Sequence, residues 1–135
     1  MKTLIVAVLA CTVATGAYAG PNPELSKPVV VLTSVIAKNA ESLALTEEQR
    51  ADLKAWVSTM PAKRKALEDQ AITARAALRQ AIVDGAPVAD RQAIAQEVGA
   101  LETKLVMMRS NCVDHWRAVL NAEQFNKALK FAGLK

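Results

Sequence analysis

The stretch Leu45-Thr46-Glu47-Glu48-Gln49, with a near copy of it at Leu120-Asn121-Ala122-Glu123-Gln124, decides how this chain folds. Each places a small polar residue before an acidic turn and a glutamine three residues later. That is the pattern of a capping box: the Thr46 or Asn121 side chain accepts from the glutamine's backbone N–H, and the glutamine side chain reaches back to the cap's own N–H. Glu47 and Glu48 also suit the positive end of a helix dipole. One helix therefore opens after Thr46 and another after Asn121.

Beyond Thr46, apolar residues step by four and three along Leu53, Val57, Met60, then Leu67, Ala71, Ala74, Leu78 and Ala81, which is one face of a helix. Pro61 removes the hydrogen bond to Val57 and predicts a kink or short break near Met60. Asp84-Gly85-Ala86-Pro87 stops the helix, with Gly85 free to adopt a left-handed cap and Pro87 suited to a new first turn. A third helix, Pro87 to Val119, carries Ile94, Val98, Leu101, Leu105, Met108, Cys112, His115 and Val119 in coiled-coil rhythm. So short a connection makes the two long helices antiparallel. With the turn near Ala86, Met60 faces Cys112 and Trp56 faces Trp116. A first helix is expected from about Pro28 to Ser42, and a last one carries Phe125, Leu129 and Phe131 to a stop at Gly133. No strand is needed, so the expected class is all-α: four helices, a long antiparallel hairpin flanked by two shorter helices.

Residues 1–19 read as a secretory signal, with basic Lys2, the apolar run Leu4 to Ala14, and Ala17-Tyr18-Ala19 before Gly20. The run is shorter than the roughly 20 apolar residues that span a bilayer, so no membrane span is expected after cleavage. Leu9 does not suit a lipoprotein signal at Cys11. Residues 20–27, with Pro21 and Pro23, read as a flexible arm. Residues 28–135 form one helical domain.

Removing residues 1–19 leaves 16 Lys and Arg against 13 Asp and Glu, a net charge of +3. That is mild for a nucleic-acid binder, and an exported protein seldom meets nucleic acid. Lys63-Arg64-Lys65, the one dense basic run, reads as a solvated helix face. An enzyme is not expected. There is one histidine, no phosphate loop, no local Ser-His-Asp set, and the paired acids Glu47-Glu48 and Glu68-Asp69 are adjacent residues whose side chains diverge on a helix.

The chain resembles the Spy/CpxP family of periplasmic stress proteins, whose members carry two Leu-Thr-x-x-Gln motifs. Leu45, Thr46 and Gln49 match the first motif in full; Leu120, Asn121 and Gln124 match the second with Asn in place of Thr. The resemblance covers about Pro28 to Leu134. It implies periplasmic location, an elongated homodimer curved into a cradle, and one of three roles: binding unfolded or misfolded envelope proteins, docking on a membrane sensor, or sensing heavy metals.

Two sets of residues follow as candidates. For a chaperone-like role, shallow apolar patches edged by Lys63, Arg75, Arg79, Arg109 and Arg117 would hold unfolded clients. For a periplasmic heavy-metal sensor or resistance role, Met108, Cys112 and His115 share one helical face with Met60 opposite, and thioether, thiolate and imidazole suit Cu(I) or Zn(II). The same residues are also ordinary core residues. Cys112, alone after signal cleavage, is open to three readings: metal ligand, disulfide to a second subunit, or quiet burial.

Overall fold

The computed structural model describes residues 23–135. The expected signal, its cleavage site, Cys11 and the first residues of the arm lie outside the described residues. The described chain is helical: α1 is Thr33–Lys38, α2 Glu47–Val83, α3 Val88–Val119 and α4 Ala122–Phe131. The two long helices pack against each other, and the short ones gather at one end of the pair.

Helix ends follow the local chemistry. Gly85 and Gly133 take positive φ, 69° and 68°. The N–H of Ala86 bonds to the Ala81 carbonyl and that of Gly85 to Ile82, with the same pairing from Leu134 to Leu129 and Gly133 to Lys130. Both helices thus end in Schellman motifs, which only a left-handed residue closes without strain.

Helix α1 is shorter than the expected Pro28 to Ser42. Val29, Val30 and Val31 are β-branched and disfavour a helical start. At the other end the Asn39 side chain donates to the Val35 carbonyl at 2.8 Å, bending the chain out of regular helix. The chain still coils on, and closes a third Schellman pairing, Leu45 to Ala40 and Ala44 to Glu41. Here the left-handed residue is Ala44, at φ 48°.

Of the kink or short break expected near Met60, the break does not occur: α2 runs as one helix through Pro61. Tertiary packing overrides the local cost: Leu53 and Trp56 before the proline and Leu67 and Ala71 after it are all packed into clusters. Val57 and Pro61 themselves are exposed, so water can take the carbonyl that lost its donor.

The core is lopsided. Leu32, Ile36, Leu43, Leu45, Leu53, Trp116, Leu120, Phe125 and Ala128 form one dense cluster where all four helices meet. Large side chains of this kind stabilise a fold by about 1.5–3 kcal/mol each on full burial. Along the rest of the hairpin only Ala71, Ala74 and Leu101 are fully buried. The hairpin's far half therefore presents much of its surface to solvent, with Ile82 54% and Val83 74% exposed.

Candidate functional site

Both capping boxes are closed. The Gln49 N–H donates to Thr46 Oγ1 and the Thr46 N–H to Gln49 Oε1; Gln124 and Asn121 repeat the exchange. The two glutamine amides then bond each other, Gln49 Nε2 to Gln124 Oε1 at 2.9 Å and Gln124 Nε2 to Gln49 Oε1 at 3.0 Å. Gln49 Nε2 also donates to the Val119 carbonyl, and Gln124 Nε2 to the carbonyls of Leu43 and Ala44. Leu45 and Leu120, which open the motifs, are both buried in the dense cluster. The six motif residues are thus one structural joint that ties the starts of α2 and α4 to the end of α3 and to the turn before Thr46. Sequence reading gave each cap separately; the cross-link between them has no local signal.

Beside the joint lies an aromatic group. Trp116 is fully buried and its Nε1 donates to Thr33 Oγ1 at 2.8 Å. Trp56 meets it edge-on, ring centroids 6.1 Å apart, which sets these two residues opposite each other on α2 and α3. His115 stacks on Trp56 at 3.7 Å and places Nε2 2.6 Å from Asp52 Oδ2. Asp52 is a partner that the spacing of donors along α3 did not suggest.

Met60, Met108, Cys112 and His115 are all half-buried, and Cys112 is a free thiol. Of these, His115 is engaged with Asp52 and the two tryptophans. Among the described residues no three His, Cys, Asp or Glu side chains converge on one point. A resident metal therefore has no built cage of those donors among the described residues.

The five cations named as a client edge fall in three places. Arg75 and Arg79 line a furrow of about 250 Å³ with Leu78, Ile82, Val83 and Val98. Arg75 bonds Glu102 across the hairpin at 2.6 Å, and Arg79 bonds both carboxylate oxygens of Glu24 at 3.0 Å. Arg109 lies near mid-hairpin, its guanidinium held below the ordinary arginine pKa, first by burial and then by the charge of Arg64. Exposed Lys63 adjoins Arg64 in sequence. Arg117 lies over the Phe125 ring at 4.8 Å, at the dense end. Glu24 and its neighbour Leu25, which packs against the cluster of Ala71, Ala74 and Leu101, lie beside the furrow.

Among the described residues no helix is long and apolar enough to cross a membrane. No significant match was found among curated proteins or among solved structures. Residues 32–130 match the family described as LTXXQ motif family protein. That span begins at Leu32 in the dense core, ends in the last turn of α4 and holds both motifs joined at Gln49 and Gln124, and on it the chain belongs to the LTXXQ motif family, which includes the Spy/CpxP-type periplasmic proteins.

Proposed function

We propose that this protein is a periplasmic stress-response protein that binds unfolded or misfolded envelope proteins, working as a homodimer of the kind its family suggests. The observation that carries the reading is the furrow along the outer hairpin, where Leu78, Ile82, Val83 and Val98 lie beside Arg75 and Arg79. Exposed apolar patches rimmed by polar groups mark interaction surfaces. A shallow, open furrow gives weak contacts to any apolar segment, and the arginines add charge attraction without demanding one sequence. Rigidity comes from elsewhere, from the joint and the dense core, so the furrow is free to stay exposed. No chemistry on a client is required, and the reading is of a binding protein and not an enzyme.

The test is suppression of aggregation of an unrelated, chemically unfolded protein. Near-stoichiometric native protein is expected to suppress it, and Ile82→Asp with Val83→Asp to lose most of that effect while keeping the helical circular dichroism. No suppression at several-fold excess of native protein would end the reading.

A second reading, a heavy-metal sensor or resistance role, is favoured by one observation: Met60, Met108, Cys112 and His115 are all half-buried, within reach of solvent, and Cys112 is free. Equilibrium dialysis with Cu(I) and Zn(II), comparing native protein with Cys112→Ser and His115→Ala, tests it. Equal stoichiometry in all three would remove it.

A further inference from the structure

We propose that Glu24 and Leu25 form a built-in competitor for the furrow, a strap that occupies one end of it and gives way when a client arrives. The inference rests on the client-binding reading above. Leu25 packs against Ala71, Ala74 and Leu101, with Val98 in the same cluster, and Val98 also walls the open furrow. The open part continues the α2 face that Leu25 covers, from Ala71 and Ala74 to Leu78 and Ile82. Glu24 holds Arg79, which itself lines the open part. The strap thus offers the furrow what a client would offer: a carboxylate for an arginine, next to an apolar side chain for the hairpin seam.

The hold is weak enough to be displaced. Arg79 is 62% exposed at its side chain, and an ion pair so open to water contributes little. Leu25 is only half-buried, and the strap lies outside the four helices. Pro23 and Pro28 bracket it, and each proline's fixed φ narrows the conformations the flanking chain can sample. Bracketing of this kind lowers the entropic cost of reseating the strap after a client leaves.

The consequence is quantitative. A site occupied part of the time by its own chain binds an outside ligand more weakly by that occupancy. Removing the strap's carboxylate and its apolar side chain is expected to tighten client binding, by roughly threefold to tenfold.

The probe is a fluorescein-labelled, unstructured peptide carrying three Glu-Leu pairs, read by anisotropy against native protein and the double variant Glu24→Gln, Leu25→Ser. Neither substitution touches the dense core, so helicity and melting temperature should hold. Tighter binding by the double variant, reversed by an excess of a synthetic peptide covering residues 22–30, supports the strap. Equal affinity for native and variant overturns the strap and leaves the client-binding reading standing. No binding by either overturns both.

Discussion

The side-chain amides of Gln49 and Gln124 donate to one another, each oxygen also accepting from its own helix cap. Gln124 is 8% exposed, so its amide has little recourse to water if the partner is lost. Buried donors and acceptors left unpaired cost about 1–3 kcal/mol. Gln124→Ala is therefore expected to destabilise by about 2–3 kcal/mol and Gln49→Ala by about 1–2 kcal/mol. The double variant should cost less than their sum, since each change strands the same bonds. Urea unfolding followed by circular dichroism measures all three, and strict additivity would show that the two amides do not act as a joint.

The two tryptophans should behave differently despite facing each other. Trp116 is fully buried and bonded to Thr33, so Trp116→Phe removes packing and leaves the Thr33 hydroxyl short of a donor. A loss of about 2–3 kcal/mol is expected. Trp56 Nε1 is buried without a partner, so Trp56→Phe also discards an unsatisfied donor and should cost about 1 kcal/mol or less. Equal losses would contradict this asymmetry.

Ala44 takes the left-handed position that glycine occupies at the ends of α2 and α4. Ala44→Gly is expected to raise stability slightly, by up to about 1 kcal/mol, because strain at a non-glycine left-handed residue is relieved. A lower melting temperature would mean that the Ala44 methyl contributes packing that outweighs the strain.

Pro61→Ala restores a backbone donor in the middle of an otherwise unbroken α2. Proline costs about 3 kcal/mol relative to alanine in a helix interior, and partial adaptation at this exposed site reduces the gain to about 1–2 kcal/mol. Thermal unfolding of the variant checks it; no gain would place the strain of Pro61 outside the folded state.

Arg109 carries a charge that burial and Arg64 both oppose. Arg109→Gln is expected to leave stability unchanged or raise it slightly, while weakening the binding of an acidic unfolded client. Activity retained at the expense of stability is a common trade at functional surfaces. Lower stability together with unchanged client binding would assign Arg109 to the fold alone.

Much of the architecture was legible because it is set by short-range chemistry. Thr46 with Gln49, Asn121 with Gln124, and Gly85 and Gly133 at the stops each act within a few residues, and apolar spacing along residues 53–81 and 94–119 gave the hairpin seam. Where the structure departs from local signals, a longer-range term had won: packing on both sides of Pro61 kept α2 unbroken through a residue that breaks isolated helices, and Asn39 with Ala44 ended α1 early through geometry its composition does not announce. The furrow was visible only in outline. Arg75 and Arg79 stood out by charge, but Glu24, Leu25, Asp52 and Glu102 are ordinary residues until the fold brings them to an arginine, a histidine or the hairpin seam.

The sequence by itself determined that the chain is helical, where its long helices start and stop, and which faces are apolar, because capping, glycine conformation and hydrophobic period are properties of neighbouring residues. Tertiary structure alone decided that the two glutamines meet, that His115 turns to Asp52 and Trp56, and that one half of the hairpin is packed while the other stays open. Those outcomes depend on which distant surfaces the hairpin turn brings within bonding distance, a quantity set by helix length and crossing geometry and by no short stretch of residues.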